Sequence, residues 1–74
     1  MFVSEKMVER IRSLYPVGTR LRCENMSDDP NPVPPGTLGT VIYVDDAGQI
    51  GMKWDNGRSL SLIYGVDSFT KIEE

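Results

Sequence analysis

Residues 36–62, GTLGTVIYVDDAGQIGMKWDNGRSLSL, constrain this chain more than any other stretch. Apolar runs alternate there with two short turn signals, Asp45-Asp46-Ala47-Gly48 and Asp55-Asn56-Gly57. Asn-Gly between strand-forming residues favours a type I′ hairpin, whose two central positions both need positive φ. The stretch reads as three short strands in a meander, and its flanks must fold around it. Period-two alternation makes Val41, Ile50, Met52, Trp54, Leu60 and Leu62 the inward set. Gly39 and Gly51, glycines inside strands, mark bulges or sharp bends.

Upstream, residues 4–14 (SEKMVERIRSL) have the spacing of a short amphipathic helix, with Met7, Val8, Ile11 and Leu14 on one face. Ser4 can cap its first turn, and Glu9 can pair with Arg12 three residues on. Tyr15 precedes Pro16 and is pushed out of the α region, so the helix stops there. Residues 19–25 (TRLRCEN) alternate as a half-buried strand, Leu21 and Cys23 inward, Arg20, Arg22 and Glu24 outward. Residues 26–36 (MSDDPNPVPPG) hold four of the five prolines. Proline cannot donate to a ladder, so this stretch is a stiff excursion rather than a central strand. Residues 64–68 suggest a turn of 3₁₀ helix, and 69–72 a last strand with Phe69 and Ile72 inward. The expected fold is mainly β: one domain over 1–74, an SH3-like small barrel of about five strands across 19–72, with an N-terminal helix.

Composition narrows the function classes. The chain has no His and a single cysteine, Cys23, so neither a disulfide nor a Cys/His metal site can form within it. The usual general base is also missing, and Cys23 sits at an inward position where a small apolar residue belongs. The paired aspartates, Asp28-Asp29 and Asp45-Asp46, suit turns better than hydrolysis or metal binding. A net charge of −3 disfavours a nucleic-acid polymer as partner. No signal peptide or membrane span is legible, and the expected location is the cytosol. The expectation is a protein that is not an enzyme and uses neither cofactor nor metal.

Three motif groups together are specific. They are Gly36-Thr37-x-Gly39-Thr40-Val41, Asp45-Asp46-x-Gly48-Gln49-Ile50, and Lys53-Trp54-Asp55-Asn56-Gly57 followed by a Leu-x-Leu strand. With the Asp28-Asp29-Pro30 to Pro34-Pro35-Gly36 loop and the Gly65-Val66-Asp67-Ser68-Phe69 ending, the chain from Tyr15 to Ile72 resembles a family of short proteins carried by bacteriophages and mobile elements, a domain of unknown function. The resemblance implies a phage protein acting in the host bacterial cytosol. It carries no chemistry to transfer residue by residue.

Candidate ligand-binding residues are Arg58, Tyr64, Tyr43, Trp54, Ser61, Asp67, Asp29 and Asn31. Trp54 is first of all a core anchor, and a rim Trp can also stack a ligand. Tyr43 and Tyr64 sit where a barrel rim would expose them to a base or a peptide proline. Arg58 with Ser59, Ser61, Tyr64 and Asp67 would form a polar set at one rim. The Pro-rich loop, with Asp29 and Asn31, is either a binding element or a lid in which Met26 and Val33 plug the core. Two functions follow. One is sequestration of a small nucleotide-derived immune signal, ADP-ribose or a cyclic nucleotide, in pockets between subunits of a homo-oligomer, which would inhibit host defence. The other is an SH3-like interaction module for a host or phage protein.

Overall fold

The computed structural model describes residues 4–26 and 31–72. Helix α1 (Glu5–Leu14) precedes five strands: β1 (Arg20–Asn25), β2 (Leu38–Val44), β3 (Gln49–Trp54), β4 (Leu62–Ile63) and β5 (Ser68–Lys71). All five belong to one antiparallel sheet in the order β4-β3-β2-β1-β5. The expected helix, meander and final strand are therefore present. β4 and β5 form the two edges and share no ladder among the described residues.

α1 begins where the sequence provides a cap: the Ser4 hydroxyl accepts the Met7 N–H at 3.2 Å, satisfying one of the helix's orphan donors. It ends at Tyr15, whose N–H closes on the Ile11 carbonyl at 2.9 Å before Pro16. The buried face is narrower than the spacing suggests. Val8 and Ile11 are buried, whereas Met7 and Leu14 stay exposed, because a single turn-spaced pair is all the sheet receives. Arg12 does not turn to Glu9. It reaches across to the Val44 carbonyl (3.0 and 3.2 Å) and to Asp46 (3.2 Å), tying the helix to the β2–β3 hairpin.

The hairpins differ from the type I′ expectation. Among the described residues, none other than glycine has positive φ. In the β3–β4 connection the Gly57 N–H bonds the Trp54 carbonyl at 3.0 Å, and the Trp54 N–H bonds Arg58 O at 2.9 Å. Gly57 takes the left-handed position at φ 91°. This is a three-residue loop, a type I turn closed by a glycine bulge. The β2–β3 hairpin repeats the device, with Asp45 N–H to Gln49 O, Gly48 N–H to Asp45 O, and Gly48 at φ 81°.

The core gathers Ile11, Leu21, Cys23, Val41, Ile50, Met52, Trp54 and Leu62, with Met26 and Val33 closing one end; Leu60 and Phe69 pack against it half-buried. Register explains the alternation: Leu21 lies opposite Gly39 and Gly39 opposite Trp54, all on the inner face. Gly39 is no bulge. It is small because the Trp54 ring lies where its Cβ would be, 2.6 Å from Cε3. The sheet's irregularity falls instead at Ile42, between Val41↔Met52 and Tyr43↔Gly51. Gly51 accommodates the Tyr43 ring, which lies directly over it on the outer face. A second shift falls at Glu24, in the β1–β5 pairing.

The outer face is laced by polar contacts. Arg20 forks onto Asp55 at 2.9 and 2.6 Å and also donates to the Thr40 hydroxyl at 2.9 Å. Arg22 donates to Glu24 at 2.9 Å, and the Thr70 hydroxyl donates to the same carboxylate at 2.7 Å. Arg20 is a cross-strand tie, and Arg22 pairs within β1 with the carboxylate that Thr70 of β5 also engages. Residues 64–68 form no 3₁₀ helix. A turn with Gly65 at φ 87° is closed by the Val66 and Asp67 N–H groups on Ile63 O.

Candidate functional site

The Pro-rich loop is held along the end of the core. Val33 is fully buried, its carbonyl accepts the Cys23 thiol at 3.5 Å, and the Gly36 N–H donates to Cys23 O at 2.7 Å. Arg58 fastens it from the other side, donating to the carbonyls of Pro32 (3.0 Å) and Asn31. The guanidinium expected to meet a ligand is thus occupied by the protein's own backbone. Asn31 takes part through that carbonyl, while Asp29, with Asp28, lies outside the described residues. Met26 and Val33 sit as the lid arrangement requires.

Trp54 is 1% exposed, and its indole N–H donates to Leu60 O at 2.7 Å. It cannot stack a ligand. Its placement follows from the alternation that made it inward in the first place, and the bond to Leu60 satisfies the one polar atom it buries.

Tyr43 and Tyr64 are 47% and 39% exposed. Tyr15, which sequence reasoning treated only as the helix stop, lies between them. It shares a groove of about 420 Å³ with Arg12, Pro16, Val17, Tyr43 and Val44. Its ring also lies 6.3 Å from that of Tyr64 and packs edge-on against Phe69 at 5.3 Å. An aromatic immediately before a proline, at the end of a helix, is the only sequence signal that could have flagged it. Burial first, then the neighbouring Tyr64, raises the Tyr15 hydroxyl above the ordinary tyrosine range. Val17, at the lip of this groove, is 72% exposed.

A second groove, of about 360 Å³, brings together Ser59, Ser61 and Asp67 of the expected rim set, with Met26, Leu60 and Ile63. Gln49 adds an amide at its side. Arg58 and Tyr64 are not among its walls. The Asp67 carboxylate accepts the Ile63 N–H at 2.8 Å, which fixes it at the groove mouth. Cys23 lies in the core and its thiol is pushed up by burial first, then by the negative charges of Asp67 and Glu24, so it is held in the unreactive protonated form. Among the described residues, no three His, Cys, Asp or Glu side chains are placed to hold a metal ion, and no helix is long and apolar enough to cross a membrane.

These features define a small antiparallel-sheet protein with an N-terminal helix, a strapped Pro-rich loop and open surface grooves. The chain belongs to the family described as Domain of unknown function (DUF4314), whose model matches residues 4–72. Neither a curated protein nor a solved structure matches it.

Proposed function

We propose that this protein is a non-catalytic interaction module that docks an extended, proline-bearing segment of another protein. The observation that carries this reading is the groove between Tyr15, Pro16, Val17 and Tyr43, mostly apolar and open, with the strongly exposed Val17 and Tyr43 on its walls. Tyr rings at such a groove give large, stiff contact area with a hydroxyl left for the peptide carbonyls. A proline-bearing segment is already ordered before it binds, so little entropy is lost on docking. The SH3-like view of the fold draws support from the strand order β4-β3-β2-β1-β5 and from the tight turn before the last strand. In the phage setting that the sequence resemblance implies, the partner is a host or phage protein in the bacterial cytosol.

Sequestration of ADP-ribose or a cyclic nucleotide draws less support. Arg58 is spent on loop carbonyls and Trp54 is sealed, so a homo-oligomer would have to build the phosphate contacts between copies. Amide NMR of the labelled protein tests both readings. A blocked Pro-Pro-Val-Pro peptide should shift the Tyr15, Val17, Tyr43 and Val44 signals, and Tyr43→Ala should remove the shifts. ADP-ribose shifting those signals while the peptide leaves them unmoved would replace the module with the sequestration reading.

A further inference from the structure

The sheet stops short at β4. That strand covers only Leu62 and Ile63, opposite Ile50 and Gln49, although β3 runs on to Trp54. The chain between Arg58 and β4 passes alongside the far half of β3 without forming a ladder. The backbone N–H groups of Ser59, Leu60 and Ser61 have no hydrogen-bond partner among the described residues. They front the groove of about 360 Å³, which Asp67, the residue before β5, also lines, so that a seam runs between the 59–61 segment and the β4–β5 turn. Unpaired edge groups beside an apolar floor are the elements from which strand addition is built.

The charge of the seam is one-sided. Among the described residues, Asp67 is the single ionised side chain lining it, and no Lys or Arg lines it. One carboxylate oxygen is engaged by the Ile63 N–H, which orients the group, while a carboxylate accepts several hydrogen bonds at once. Arg58, beside Ser59, donates to Pro32 and Asn31, and Lys71, four residues from Asp67, donates to Leu14 O. We infer that this seam is a second docking site, taking an extended segment of a partner protein whose main chain runs beside residues 59–61 and whose Lys or Arg side chain pairs with Asp67. Met26, Leu60 and Ile63 supply the apolar contact for alternate side chains of that segment. The site is separate from the aromatic groove, and it stands or falls independently of it.

The test uses the blocked peptide Thr-Val-Arg-Val-Thr and its counterpart with Glu in place of Arg, followed by amide NMR on the full chain. The Arg peptide should shift the Ser59 to Ile63 amides, the Glu peptide should bind about tenfold or more weakly, and Asp67→Asn should weaken the Arg peptide by a similar factor. Asn keeps the acceptor for Ile63, and the Arg/Glu comparison on the native protein stands even if that variant misfolds. Equal binding of both peptides, shifts confined to Tyr15 and Tyr43, or the absence of shifts at millimolar peptide would each overturn the inference. So would concentration-dependent shifts of the 59–63 amides without peptide, which would assign the seam to a second copy of the chain.

Discussion

Replacing Gly39 by Ala should destabilise the fold far more than one added methyl group suggests. An ideal Cβ at this position would lie 2.6 Å from Trp54 Cε3, 3.0 Å from Met52 Cε and 3.1 Å from Trp54 Cδ2. Met52 can yield, since its end is flexible. Trp54 cannot, because it is 1% exposed and its indole is held by Leu60 O at 2.7 Å. Overpacking a filled core costs about 1–3 kcal/mol, and shifting the indole adds roughly 1 kcal/mol for a weakened hydrogen bond. Gly39 has ordinary negative φ, so the smaller backbone entropy of Ala in the unfolded chain returns about 0.5 kcal/mol. The net loss is about 1.5–3.5 kcal/mol. For a 74-residue chain the whole stability is on the order of 4–11 kcal/mol, and the melting temperature should fall by roughly 10–20 °C. Urea unfolding followed by the fluorescence of Trp54, the single tryptophan, measures this directly. A parallel pair in a Trp54→Leu background, followed by circular dichroism, isolates the clash, and there Gly39→Ala should cost less than half as much. A neutral or stabilising Gly39→Ala, or an equal cost in both backgrounds, would refute the steric argument.

Arg58→Ala should cost about 1 kcal/mol and accelerate amide exchange around Val33 and Gly36 while leaving the β2–β3 amides protected, as exchange NMR would show. The Asp55 carboxyl is held below the usual carboxylate range, chiefly by its hydrogen bonds from Arg20. Its stabilising share is therefore complete above the ordinary Asp range and lost as pH falls through the lowered folded value; Asp55→Asn should be less stable than the native chain near neutral pH, the gap closing in strong acid. Tyr15, raised by burial and by Tyr64, behaves in the opposite sense. Its contribution is full below the ordinary tyrosine range and lost as pH rises through the higher folded value, so ultraviolet titration should show a late tyrosine step that Tyr15→Phe removes.

Strands in the meander were legible because their side chains obey a period of two and one face must be buried. The hairpin type was not, since Asp55-Asn56-Gly57 suits either a two- or a three-residue loop. The choice was made by the Trp54–Arg58 pairing, which leaves Asn56 outside the positive-φ region. That choice also shortens β4, because the chain swings wide after Gly57 and Leu60 O is taken by the Trp54 indole. Arg58 was misplaced for a different reason. Its partners, Pro32 and Asn31, are 26 and 27 residues earlier, and no local pattern says which way a loop returns. Tyr43 and Tyr64 were legible as exposed residues, but Tyr15, which connects them, was hidden by its own local role at the helix end.

The pairing of β1 with β5 has a consequence for synthesis. Leu21 is partnered by Lys71, and the Lys71 ammonium also caps the Leu14 carbonyl at the end of α1 at 3.2 Å. As the chain leaves the ribosome, the helix and the first four strands emerge before the element that covers one side of β1. Throughout that interval Leu21, Cys23 and the backbone edge of β1 stay open to other nascent chains. The fold is therefore sealed only once β5 has emerged, and conditions that delay its emergence leave β1 exposed for longest.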